Sequence, residues 1–270
     1  MSKPTGYLTR VSIIAIFFFS CKTVPITGRK QLNLVPDLML TELAFSQYDS
    51  IVKTSHTLTQ QDARAQMVTR AGTKIQRAVE EYMIQNNLQN EIKKLSWEFN
   101  TIDENIVNAW CMPGGKVVVY TGLLPVTQNE KALAFVMGHE IAHAIARHGN
   151  ERMSQGLLVN LGGMVLQEAL KDKKEATQVL FLGLYMVGSN LAYSLPNSRM
   201  QESEADKLGL IFMSMAGYDP AEALPLWERM SQLNKAKTPE FLSTHPSDET
   251  RIKNLAALIP EIKAKYYKAG

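Results

Sequence analysis

Two histidines four residues apart, with a glutamate directly after the first, stand in the segment His139-Glu140-Ile141-Ala142-His143. On a helix, residues i and i+4 lie about 40° apart around the axis, so both imidazoles can face one ion. The surrounding side chains are apolar on every side, among them Leu133, Phe135, Val136, Met137, Ile141 and Ile145. A helix apolar all round is buried, and buried imidazoles without a partner are costly; a divalent metal explains the pair. The chemistry this predicts is that of one zinc ion per chain, held by three protein ligands with a fourth position left for water. Glu140, beside a ligand histidine, is then placed as the general base that takes a proton as water attacks a carbonyl.

The third ligand must come from elsewhere, and Glu202-Ser203-Glu204-Ala205-Asp206 offers it on a later helical stretch. Glu202 and Asp206 share a face, so Glu202 can hold metal while Asp206 accepts the spare N–H of a ligand histidine. Glu204 lies about 200° away and cannot join them; spacing alone leaves it a rival to Glu202, and the paired carboxylate four residues on, Asp206, favours Glu202. His148 is about 140° around the helix from His143 and faces away, reading as a polar cap near a helix end at Gly149. His245 precedes Pro246, a favoured first helical residue, which places this histidine at a helix entrance.

These residues need a scaffold. Thr127 with Glu130 reads as a capping box starting the histidine helix. Upstream, apolar spacing predicts two helices between Asp37 and Asn87. Residues 107–112 and 116–120, parted by Pro113-Gly114-Gly115, read as a hairpin or bent edge strand on which Asn108, Ala109 and Trp110 would pair with an extended peptide substrate. Everything beyond Gln128 reads helical, with breaks at Gly149, Pro196, Gly217 to Pro220 and Pro246. Two apolar arms, 153–170 and 176–195, joined by Lys171-Asp172-Lys173-Lys174-Glu175, read as an inserted helical hairpin covering the active site, with a membrane hairpin as the alternative. The fold class is α+β, mostly α, with a small β-sheet and that hairpin.

Bulk composition excludes other classes. The 270 residues are 45% hydrophobic and 20% charged, without the bias of a disordered, collagenous or disulfide-built chain. Net charge is +3, or +1 without Lys3 and Arg10, which gives no reason to expect nucleic acid. Lys3 and Arg10 precede the uncharged run 11–20, too short to span a bilayer and ending at Cys21. This reads as a lipoprotein-type signal peptide over 1–20, with Cys21 lipidated, a tether over 21–36 and the peptidase domain over 37–265. A plainly cleaved secretory peptide and an uncleaved anchor are the alternatives. Of two cysteines, Cys111 is then left alone, as a half-buried strand residue.

The H-E-x-x-H and E-x-x-x-D patterns, with His245-Pro246 followed by Arg251-Ile252, resemble family forty-eight of the metallopeptidases. That family includes the CAAX prenyl proteases, HtpX and an OMA-type branch with LoiP- and BepA-like envelope proteases. Val24-Pro25-Ile26-Thr27-Gly28-Arg29-Lys30-Gln31-Leu32 and Asn108-Ala109-Trp110-Cys111-Met112-Pro113-Gly114-Gly115 are similar to segments of that branch, and the pattern is nearest a LoiP-like lipoprotein protease. Cys111-Met112 departs from its usual small or aliphatic residues. The resemblance implies a zincin-like metallopeptidase domain, with His139, His143 and Glu202 as zinc ligands and Glu140 as base. It also implies His245 as an inhibitory extra ligand or an oxyanion stabiliser, with Arg251 as a substrate or oxyanion contact. It further implies a periplasm-facing envelope protease, more naturally on the outer membrane, acting on unfolded or misfolded proteins near envelope assembly machinery. A chaperone or assembly factor with suppressed cleavage is the alternative.

Overall fold

The computed structural model describes residues 21–236, 239–245 and 249–268. The expected signal peptide over 1–20 and Pro246 lie outside them. The chain divides into two compact units, one of residues up to 40 with 147–198, the other of 41–146 with 199 onward.

The first unit begins with a ribbon of β1 (Cys21–Thr23) antiparallel to β2 (Lys30–Leu32), in the register Cys21 opposite Leu32. This ribbon packs on α6 (His148–Leu170). Arg29 donates twice to Glu151 at 2.8 Å, the Asn150 amide to the Val35 carbonyl at 2.8 Å, and the Leu34 N–H to Ser154 Oγ at 2.8 Å. α6 returns as α7 (Glu175–Ser189), so the expected hairpin is present; Tyr185 Oη donates to the Val159 carbonyl at 2.9 Å across the seam. A Cβ on Gly162 would meet that hydroxyl, so the glycine leaves the room in which the Tyr185 side chain crosses the seam. A π-helical turn, Asn190–Ser194, follows α7 and leads directly into α8 (Leu195–Met215). Pro196, where a break was expected, lies within this continuous helical run.

The second unit carries the site. The helix α1 (Asp37–Thr54) buries Ala44 and Tyr48 there, and α2 (Ala63–Gln85) is capped by Asp62, which accepts from the Arg64 N–H; the short α3 (Gln89–Ile92) follows. A three-stranded sheet has the order β3-β5-β4, with β3 (Glu98–Ile102) parallel and β4 (Ala109–Met112) antiparallel to β5 (Lys116–Tyr120). Gly114 and Gly115, at φ of 89° and 88°, make the predicted turn between β4 and β5. After α4 (Leu124–Thr127) comes α5 (Glu130–Ile145), packed against both α2 and β4. Ile75, Val79, Val117, Val119, Leu133 and Ile141 are fully buried between these layers, each contributing about 1.5–3 kcal/mol relative to exposure. The chain closes with α9 (Ala223–Ala236), α10 (Glu240–Thr244) and α11 (Glu249–Tyr266).

Two helix boundaries differ from the expectation. The cap of α5 is Asn129, which accepts from the Ala132 N–H at 2.9 Å, and not Thr127. Gln128 stands at φ 64°, which separates Thr127 from the helix, and Thr127 instead bonds back to the Leu124 carbonyl. The break after the histidine helix falls at Arg147, φ 59°, two residues before Gly149, so His148 opens α6, fully buried, instead of capping the end of α5.

Candidate metal centre

α5 presents His139, Glu140 and His143 from one face, buried among Phe135, Val136, Met137, Ile141 and Ala142. It meets α8 at Gly138 and Gly209. A Cβ on Gly209 would stand 3.0 Å from the His139 nitrogen, and one on Gly138 3.2 Å from the Gly209 carbonyl. The missing side chains let two backbones touch, which brings Glu202 and Asp206 of α8 onto the histidine face. At 1–7% exposure, His139, Glu140, His143, Glu202, Asp206, His245 and Arg251 are all withdrawn from solvent.

The donor atoms of His139, His143, Glu202 and His245 all lie within 4.8 Å of one another. His139 Nε2 is 3.1 Å from His143 Nε2 and 3.5 Å from Glu202 Oε2, and His143 Nε2 is 3.3 Å from Glu202 Oε1. His245 Nδ1 stands 3.3 Å from His139 Nε2 and 3.0 Å from Glu202 Oε2. A tetrahedron around zinc, with bonds of about 2.0–2.1 Å, has edges of about 3.3–3.4 Å. The five spacings above, 3.0–3.5 Å with Glu202 taken through either oxygen, are close to those edges. Glu204, the rival ligand, is only part-buried and is not one of this group.

The electrostatics point the same way. Glu140, Glu202 and Asp206 bring three negative charges against one guanidinium, a surplus that a divalent cation neutralises. Burial opposes a proton on His139, but hydrogen bonds to Asp206 and Glu202 outweigh it and lift the imidazole to about 9. Burial also works against charge on Glu202, and its three histidine partners hold the carboxyl well below the usual range. The site therefore favours positive charge, and its imidazole and carboxylate donors are those zinc takes.

Each ligand is held from behind. Asp206 Oδ1 lies 3.1 Å from His139 Nδ1, which directs Nε2 of that ring to the cluster. Arg251 of α11 reaches Asp206 at 2.6 Å through Nε and 2.7 Å through Nη2, and Glu202 at 2.9 Å through Nη1, with its guanidinium 3.9 Å over the Trp227 ring. Arg251, expected to touch substrate or oxyanion, is thus turned inward onto two carboxylates. A signal for this was available: two buried acids on one helix face require a cation.

The expected peptide edge is partly engaged. β4 is the edge strand of the three-stranded sheet among the described residues. The Asn108 side chain donates to Glu240 at 3.0 Å and accepts from the Ala109 N–H at 2.9 Å, while Ala109 is buried. Trp110 packs edge-on against Tyr48, 6.2 Å between ring centroids. Their side chains serve the fold, so any pairing with a peptide falls to main-chain groups. Cys111 is part-buried on β4, as expected; burial pushes its thiol pKa up, and the nearby Glu140 charge adds to this.

A scan of protein families matches Peptidase family M48 over residues 70–259. Among curated proteins, the mitochondrial metalloendopeptidase OMA1 of Arabidopsis thaliana is 40% identical over 165 residues, 61% of this chain and 32% of that protein. The OMA1 metalloendopeptidase of Homo sapiens is 30% identical over 260 residues, covering 92% of this chain and 48% of its own length. The beta-barrel assembly-enhancing protease of Escherichia coli is 28% identical over 183 residues, 59% of this chain and 34% of the relative. The chain thus spans between about a third and about half of the curated relatives it matches.

Proposed function

The chain belongs to peptidase family M48, and on that footing we propose that it is a zinc-dependent endopeptidase of a bacterial cell envelope, cleaving misfolded or mislocalised proteins. One observation carries the reading: four donors from three separate segments converge within 4.8 Å in a buried site with surplus negative charge. His139, His143 and Glu202 would hold the ion. Bound there, zinc supplies a Lewis acid for the scissile carbonyl and lowers the pKa of water toward about 7. Glu140 accepts the proton of the attacking water and returns it to the leaving amine. Asp206 keeps His139 in the tautomer that offers Nε2, and Arg251 keeps the two buried carboxylates apart in charge and fixed in place. A substrate in extended form pairs with the main chain of β4, which makes sequence preference loose and favours unfolded clients.

The placement rests on the leader. A signal peptide over 1–20, a lipid on Cys21 and a short tether to residue 36 would hold the peptidase domain, 37–265, on the periplasmic side of a membrane, more naturally the outer one. The relative named as a beta-barrel assembly-enhancing protease supports assembly machinery as a natural neighbour.

A second reading has one observation behind it. His245 Nδ1 stands 3.0 Å from Glu202 Oε2 within the donor cluster, where it would take the position that a catalytic zinc needs for water, and its Nε2 lies 3.4 Å from Glu140. In this state the protein binds clients with cleavage suppressed, as an assembly factor or chaperone. Glu140→Gln separates the two: zinc content stays at one per chain, and casein cleavage falls at least about a hundredfold. If a deletion strain's envelope defect is fully rescued by Glu140→Gln, the peptidase is not the working activity.

A further inference from the structure

The hairpin exposes more apolar surface than its own packing uses. On α7, Val179, Leu180, Phe181, Leu184, Met186 and Val187 are exposed, each by 49–65%. Only the seam through Leu182 and Tyr185 turns toward α6. On α6, Leu157, Leu161, Met164 and Val165 form a further exposed stripe. Contiguous apolar surface of this extent marks an interaction site.

We infer that this hairpin lies in the interface of an anionic lipid bilayer, as a second contact beside the leader. A folded partner, or a second copy, would bury one stripe at i, i+3, i+4 and i+7. Here α7 is apolar around most of its circumference, and a liquid hydrocarbon conforms to such a surface where a rigid helix cannot. Charge argues likewise. Residues 21–40 with 147–198 carry eight basic against five acidic side chains, whereas 41–146 with 199–270 carry 19 against 21. Around the base of the hairpin Lys22 and Arg147 share Asp37 and Arg29 is held by Glu151, so with Lys30 and Arg152 the net excess of three positive charges sits there, next in sequence to the apolar run 11–20. Basic groups beside an apolar face favour anionic headgroups. A spanning hairpin needs both arms to cross, and although the run 176–198 carries no charge over 23 residues, α6 is too short. The uncharged stretch of α6, 153–167, rises about 22 Å against a hydrocarbon core of about 30 Å. No helix among the described residues is long and apolar enough to cross a membrane.

The inference rests on the proposed attachment at Cys21, so the test separates the two. The full chain, reconstituted on vesicles of phosphatidylglycerol and phosphatidylethanolamine, carries a polarity-sensitive fluorophore at Leu161→Cys, Leu184→Cys or, as the control, exposed Gln85→Cys; wild type treated in parallel sets the background. Lipids brominated on the acyl chains should quench the labels at 161 and 184 by at least half and leave that at 85 unchanged. Replacing phosphatidylglycerol with phosphatidylcholine should reduce the quenching. Wild type needs no substitution for the second measurement: a photoactivated carbene probe dissolved in the bilayer should tag peptides from 153–170 and 175–189. Protein that sediments with vesicles but shows neither quenching nor tagging overturns the inference and leaves the anchor standing. Label self-quenching that is independent of lipid, the mark of a second copy, overturns it too. Protein that fails to sediment overturns both.

Discussion

Replacing Arg251 with Met is the sharpest probe of how the centre is held. Arg251 is 7% exposed and makes three short ion-pair contacts, at 2.6 and 2.7 Å to Asp206 and 2.9 Å to Glu202. Met fills much of the stem's volume, so the principal loss is charge. Removing one partner of a buried ionic network leaves the others unpaired, at a cost of about 3–5 kcal/mol. In chelator, where the carboxylates have no other cation, the full cost is expected. For a protein of this size it lowers Tm by about 6–20 °C, at about 2–4 °C per kcal/mol. Saturating zinc should restore part of it, because the ion takes over the charge of Glu202. Trp97, Trp110 and Trp227 are the three tryptophans of the chain and all belong to the unit that carries the site, so intrinsic fluorescence reads its unfolding alone. Arg251→Lys should fall between, since it keeps the charge and loses the fork. A loss in chelator below about 1 kcal/mol, or a loss that zinc leaves untouched, refutes the reasoning.

Three further outcomes are expected. Gly209→Ala, whose new Cβ would lie 3.0 Å from the His139 nitrogen, forces α5 and α8 apart; it should cost about 1–3 kcal/mol and weaken zinc affinity at least about tenfold, read by chelator competition. His245→Ala frees the position that water needs, so casein cleavage at saturating zinc should rise; a fall would instead make His245 an oxyanion stabiliser. Glu130 opens α5, and although burial works against its charge, Tyr218, Arg70 and Lys74 hold its carboxyl below the ordinary value. Its contribution is present above the unfolded carboxylate value, about 4.3, and is lost as pH falls through the lower folded one. The fluorescence-monitored stability advantage of wild type over Glu130→Gln should therefore be present at pH 7 and shrink toward pH 3; an advantage that grows on acidification refutes the assignment.

The helix that carries His139, Glu140 and His143 was legible from its apolar surroundings, and so was the choice of Glu202 over Glu204, because Asp206 shares a face with the former alone. Boundaries were less so. Asn129 and Thr127 are both good caps, and the backbone at Gln128, φ 64°, decides between them. Arg147 breaks the next boundary in the same left-handed conformation, where Gly149 had the stronger propensity. Trp110 reads as surface-capable on an edge strand, yet its partner Tyr48 comes from α1, some sixty residues earlier.

The amino-acid order alone determined which side chains could share one helical face, since the 3.6-residue period is a local property that packing does not alter. It determined the zinc chemistry for that reason. Whether His245 would stand within the donor cluster and Arg251 behind Glu202 was decided by tertiary structure: both reach the centre from segments beyond α9, and periodicity within one helix carries no information about the angle or distance to another. For Glu202 and Asp206 on α8 those are set by how closely its backbone approaches α5 at Gly138 and Gly209.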